Sequence, residues 1–297
     1  MNAMNNIPSI SSSAMLVELS ISVWTGVKQD RSASRKVAAD GHAKDGAVRV
    51  NKTLLGDCKE LDAVKKFAAN IRTGFHYEAT LPWSNSGLRL LPTLQYFKYH
   101  ETVTALESEF NSLVEKFLTA YDWEVTQAQL SLGDYFNADD YPTVEKLRGR
   151  FAFRLSYIPL PESGDFRLDI NNEAAVAISN HYEKYYAEQT QRSMQDIWER
   201  LAKSLKHMVK MIDYERKEKG DSNGRFKNTL VPNVLEIVEM LGTCNVTNDP
   251  AMEKVRQELA DALRGVTSEG LKEDDHLRRQ TKERVQSVID NLPGLGF

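Results

Sequence analysis

The sequence predicts an α+β fold that is predominantly helical: a small antiparallel sheet packed on helices, followed by a long helix and a helical C-terminal part. Three observations predict it. Residues 15–23 and 151–157 alternate apolar with polar side chains, the period of half-buried strands. Residues 103–121 repeat apolar side chains at threes and fours, the period of a helix. From Glu173 to Lys219 neither proline nor glycine interrupts the chain.

The elements follow in order. Residues 1–13, rich in Asn and Ser, read as a disordered leader. Val17, Leu19, Ile21 and Val23 then share one side of a strand that ends at Trp24, and alternation resumes at Val48 and Val50 in a second strand over 47–52. If the two pair, the segment between them is the long loop of a hairpin, mobile in its middle, where Gly41, Asp45 and Gly46 suit turns. Leu54, Leu61, Val64, Phe67 and Ile71 predict a helix over 54–76. The stretch TLPWSNSGLRLLP breaks it as an apolar loop, and Pro92 leads into a helix over 93–121. A short helix and turns fill 122–140, and 150–170 reads as a β-hairpin of RFAFRLSYIPLP and FRLDI.

The long helix begins near an Asn171 or Asn172 cap and would span roughly 70 Å at about 1.5 Å per residue. Met194, Ile197, Leu201, Leu205, Met208 and Ile212 step along it by threes and fours, close to a heptad seam. KGDSNG ends it. Three shorter helices follow, at about 230–241, after Asp249-Pro250, and at about 271–291. The domains expected are a mixed one at 14–170, a helical one at 171–292 and a tail at 293–297.

With 41% hydrophobic and 27% charged residues, the chain has the make-up of a globular protein. A formal net charge of −4 argues against a chain coated with nucleic acid, but one segment departs from it. Between Thr25 and Lys52, Lys28, Arg31, Arg35, Lys36, Lys44, Arg49 and Lys52 face only Asp30, Asp40 and Asp45, a surplus of four positive charges. Such a run either grips phosphates or is a solvated loop. Arg148, Arg150 and Arg154 alternate with Phe151, Phe153 and Tyr157, the mixture by which single-strand binders stack bases and hold backbone. The alternative is aromatics facing the core with arginines outward.

Tyr182, Tyr185 and Tyr186 share a helix face and, with Ile197, Leu201 and Leu205, form the face expected to receive a second copy or another partner. Phosphate loops, dinucleotide fingerprints, nucleophile elbows and HExxH or CxxC ligand spacings do not occur in the sequence. The sequence therefore nominates no catalytic residue, metal ligand or cofactor and favours a binding protein over an enzyme, although folding can bring distant catalytic residues together. Asp134, Asp139 and Asp140 read as turn aspartates. Cys58 and Cys244 read as reduced, partly buried thiols of a cytoplasmic protein. The N-terminus lacks the charged and apolar blocks of a signal peptide, and no run is long enough to span a bilayer, so no membrane partner is expected.

Trp24 with its preceding strand, Leu81-Pro82-Trp83, Leu91-Pro92, Phe117 to Tyr121, Tyr141-Pro142 and Pro159 to Pro161 are similar to an uncharacterised domain family of tailed phages, prophages and some bacteria. The likeness covers roughly residues 15–170. Genes of that family often lie near MoxR-type AAA+ ATPases and von Willebrand factor A-domain proteins. The resemblance implies a place in a phage nucleic-acid module, or an adaptor role for a remodelling AAA+ ATPase, and it transfers no active site. Three readings stand: a phage or prophage protein that contacts single-stranded nucleic acid through the basic segment and self-associates through its C-terminal helices; an adaptor that binds no nucleic acid; and, least favoured because motifs are absent, an enzyme whose site would gather Asp139, Asp140 and a histidine in a deep pocket.

Overall fold

A computed structural model describes residues 10–160, 172–212 and 228–292. The chain is α+β and mainly helical. In order, its elements are α1 (Ile10–Ser13), β1 (Ala14–Ser22), β2 (Val27–Asp30), α2 (Arg31–Asp40), β3 (Val50–Thr53) and α3 (Lys59–Asn70). A π-helical turn (Ile71–His76), α4 (Tyr77–Ala79), β4 (Leu81–Pro82), β5 (Arg89–Pro92) and α5 (Tyr96–Leu132) come next. Then follow α6 (Val144–Arg148), β6 (Ala152–Pro159), α7 (Asn172–Ile212), α8 (Leu230–Cys244), α9 (Pro250–Ala262), α10 (Gly270–Glu273) and α11 (Asp275–Asp290).

Contacts divide the chain into two compact units. A central unit comprises Glu18–Ala79 and Lys98–Ser156; a terminal unit comprises Met1–Val17, Thr80–Phe97 and Tyr157–Phe297. The contacts thus divide the chain at several points and not by a single cut near residue 170. The leader expected at 1–13 lies outside the described residues except for the turn Ile10–Ser13. The partner strand expected at 166–170, the Asn171 cap, the helix end and turn over 213–224, and the tail also lie outside them.

The terminal unit is built on α7, which packs against α8 and α11, with α9 covering α8 and α11. Its core gathers Leu201, Leu205 and Met208 of α7 with Val234 of α8, Leu259 of α9 and Val285 of α11. Asp249 caps α9 as its sequence predicts, accepting from the Ala251 amide at 2.9 Å ahead of Pro250. The stretch 81–92, expected to be a loop, is a hairpin. Leu81 and Pro82 of β4 oppose Leu90 and Arg89 of β5, and β5 continues onto β1, with Leu16 opposite Leu90. The hydroxyl of Ser193 on α7 donates to the Pro82 carbonyl at 2.5 Å. The four strands run in the order β4-β5-β1-β6.

In the central unit, α3 and α5 enclose a core of Val64, Ala68, Phe110, Val114, Phe117 and Tyr121. The helix expected to end near residue 121 runs on to Leu132, because Val125 and Ala128 keep the apolar spacing. The strand expected at 47–52 does not pair with β1. It is shorter, Val50–Thr53, and its antiparallel partner is β2. The mobile loop expected between them is half helix. Asp30 at the end of β2 caps α2, its carboxylate accepting from the Ala33 amide at 2.9 Å. Ser34 ties α2 to β3 by accepting from the Val50 amide at 2.9 Å, and Ala33 and Ala38 are buried beneath. The capping aspartate and the alanines of DRSASRKVAAD carry the signal for this helix.

Candidate functional site

The β2-α2-β3 insertion and the loop after α5 enclose an open polar cleft of about 1150 Å³ in the central unit. Lys28, Arg31, Lys36 and Lys52 contribute the cations, and Asp30, Asp134 and Asp140 the carboxylates; Tyr135 and Phe136 add rings. Pairing of β2 with β3 puts Lys28 directly opposite Lys52. Two ammoniums so placed repel each other. Asp140 offsets this by binding both: Lys28 pairs with its Oδ1, and Lys52 Nζ lies 2.5 Å from its Oδ2. Lys52 also donates to the Tyr135 carbonyl at 2.8 Å.

Local structure holds Asp140 there. Asn137 starts the 3-10 turn Ala138–Asp140 by accepting from the Asp139 amide at 3.0 Å. The next residue, Tyr141, donates its hydroxyl to the Leu54 carbonyl at 2.8 Å, just past β3, and stacks on Phe136 with ring centroids 5.1 Å apart. Burial alone would push the Asp140 carboxyl up. The hydrogen bonds and charges of Lys28 and Lys52 more than offset that and hold it below its ordinary value. Asp30 is also held low, chiefly by the Ala33 amide and then by the Ser32 hydroxyl. The α2 N-terminus therefore already has its anion.

Arg31 and Lys36 differ from the two lysines. Both are exposed, and neither forms an ion pair with a described residue. Tyr135, which lines the same cleft, is 54% exposed. The remaining predicted cations do not line the cleft. Arg35 lies 4.0 Å from Asp45 with both side chains in solvent, and Lys44 and Arg49 are exposed.

The strand mixture resolves as the core-facing alternative. Phe151 packs on Phe117 at 5.7 Å and Phe153 on Phe110 at 5.9 Å between ring centroids, so these half-buried rings face the core, and the half-buried Tyr157 meets Tyr96 at 5.1 Å. Arg154 and Arg150 point to solvent, whereas Arg148 forms a forked pair with Glu115, its second nitrogen 2.9 Å from Oε2. That hydrogen bond lowers the Glu115 carboxyl.

The expected interaction face also divides. Ile197, Leu201 and Leu205 are completely buried, because α8 and α11 of the same chain cover the α7 seam. They form core and not a free face. Tyr186 is half-buried against Trp83 at 5.8 Å, and Tyr185 is half-buried beside it. Tyr182 alone of the three counts as exposed, at 37%.

Sequence reasoning passed over two features. Asp140 lies in a turn as its sequence predicts; its role at Lys28 and Lys52 has no local signal, since Lys28 is 112 residues away. Cys58 at the start of α3 meets Glu60 of the same helix and Glu124 of α5, their donor atoms within 4.8 Å of one another. Among the described residues this is the one such convergence, and it supplies three donors where a structural zinc site takes four. Burial first, and then the charge of Glu60, raise the Glu124 carboxyl. Burial also raises the Cys58 thiol, which stays protonated at neutral pH. Comparison with family models, curated proteins and solved structures finds no match to the chain.

Proposed function

We propose that this chain is a non-enzymatic binding protein whose β2-α2-β3 insertion contacts single-stranded nucleic acid. One observation carries the reading: Arg31 and Lys36, exposed and in no ion pair with a described residue, share a cleft with the exposed Tyr135. Cations that track a phosphate backbone beside a ring that stacks a base are the parts a single strand requires. A net charge of −4 keeps the attraction local to the cleft. Its place in a phage or prophage system rests on the residues quoted above for that family, and its cytoplasmic setting on two free, buried cysteines. None of the described helices is long and apolar enough to cross a membrane.

The test is fluorescence anisotropy with labelled single-stranded DNA over a salt series, for the native chain and for Arg31→Glu with Lys36→Glu. The native chain is expected to bind more tightly as salt falls. The variant is expected to lose most of that affinity, and its log–log salt slope to shrink by about 1.4, roughly 0.7 for each lost phosphate contact. Equal binding by the two proteins, or no binding by the native chain at low salt, would sink the reading.

The adaptor reading for an AAA+ ATPase, and self-association through the C-terminal helices, now depend on the surface around Tyr182, since the heptad seam is core. Solution mass of the chain with and without a co-expressed ATPase decides between them.

A further inference from the structure

We propose that Asp140 is a built-in counter-anion that limits how tightly the cleft holds a polyanion, because its carboxylate occupies two ammoniums a phosphate would otherwise take. The inference rests on the nucleic-acid reading for the identity of the polyanion. The cations of the cleft fall into two classes. Arg31 and Lys36 are free of ion pairs with described residues, whereas Lys28 and Lys52 are committed to one carboxylate.

The commitment is structural. The Asp140 side chain is only 4% exposed and the Lys52 side chain 13%, so their pairing is largely shielded from solvent; Lys28, at 50%, keeps one side open to the cleft. Asp140 is fixed by its own turn and by Tyr141 bonded to the Leu54 carbonyl, so it does not depend on the lysines for its position. A tethered anion competes at an effective concentration on the order of mM or more. A phosphodiester carries one negative charge, as the carboxylate does, and gains nothing by displacing it unless neighbouring phosphates bind Arg31 and Lys36 at the same time. The device therefore favours a chain of phosphates over a single phosphate. It also relieves the repulsion between the opposed lysines when the cleft is empty.

The experiment compares the affinity of labelled oligothymidylate for the native chain, Asp140→Asn, Lys28→Gln, and the two changes combined. Asp140→Asn keeps the shape and frees the ammoniums. It is expected to bind about tenfold tighter at low salt, with a salt slope steeper by about 1.4 from two added contacts. Lys28→Gln in the native chain is expected to change affinity less than about twofold, but to remove much of the gain in the Asp140→Asn background. Thermal unfolding of each variant verifies that it is folded. Should Asp140→Asn not fold, all three groups are neutralised together as Lys28→Gln, Lys52→Gln and Asp140→Asn, which leaves none of the three with an unpaired charge. A loss of more than about fivefold there shows that the lysines already bind the ligand and overturns the inference. So does unchanged or weaker binding by folded Asp140→Asn. If Arg31→Glu with Lys36→Glu abolishes binding while Asp140→Asn leaves it unchanged, the counter-anion idea alone fails. If that double variant binds as the native chain does, the site itself is wrong.

Discussion

Leu201→Ala is expected to destabilise the terminal unit strongly without altering any assembly. Leu201 is 0% exposed and lies within a core shared by α7, α8, α9 and α11. Replacement by alanine removes three buried carbons, about 2.4 kcal/mol at about 0.8 kcal/mol each. The cavity left behind brings the loss to about 3–4 kcal/mol, since the surrounding helices relax only in part. Urea unfolding followed by circular dichroism, at two protein concentrations tenfold apart, measures this. Leu235→Ala is the control: Leu235 on α8 is 43% exposed, and its loss is expected to stay under about 1 kcal/mol. If the α7 seam were a dimer face, the midpoint would rise with protein concentration and Leu201→Ala would lower the solution mass. Either result, or a loss for Leu201→Ala no larger than that for Leu235→Ala, refutes the reasoning.

Other expectations concern charge and backbone. Because the folded-state pKa of Asp140 lies below its ordinary 3.8, its pairing contributes stability above that value and loses it as pH falls through the lower one. Asp140→Asn should flatten the acid limb of a stability–pH curve, and an unchanged limb would count against the pairing. Glu124 has the opposite sign: its pKa is raised above 4.5, so its charge costs stability at neutral pH and the cost vanishes in acid. Glu124→Gln should therefore raise stability at pH 7, by removing first the burial cost of the charge and then its repulsion by Glu60, the latter about 1 kcal/mol at most in water. The gain should disappear below pH 4 in thermal melts. Gly26 has φ +66°, and an added Cβ would lie 3.0 Å from a Leu61 methyl. Gly26→Ala should cost about 1–3 kcal/mol, through strain in the left-handed region and crowding of Leu61; a neutral result in urea unfolding would show that the turn relaxes freely.

The site was half legible. The charge of the 25–52 segment marks Lys28, Arg31, Lys36 and Lys52 without any knowledge of the fold. Nothing in that composition distinguishes the committed lysines from Arg31 and Lys36, which pair with no described carboxylate, because the distinction is made by Asp140 from another segment. Tyr135 likewise joins the cleft only through the loop that follows α5. The arginines near β6 look identical to the cleft cations in sequence. The fold places them outside the cleft, Arg154 outward on β6, Arg150 exposed ahead of it and Arg148 paired with Glu115.

Local physics sufficed wherever the signal was periodic or a cap. Alternation in 15–22, the apolar stripe of 103–121, the unbroken run of α7 and the Asp249-Pro250 start were each determined by residues a few positions apart, whose backbone preferences need no distant partner. Three matters were decided by tertiary structure alone: that β1 pairs with β5 while β2 takes β3, that the α7 seam faces inward, and that one aspartate holds two opposed lysines. Each depends on which distant segment arrives at a surface. A pattern of side chains states that a face is apolar or charged; only the packed chain determines what covers it.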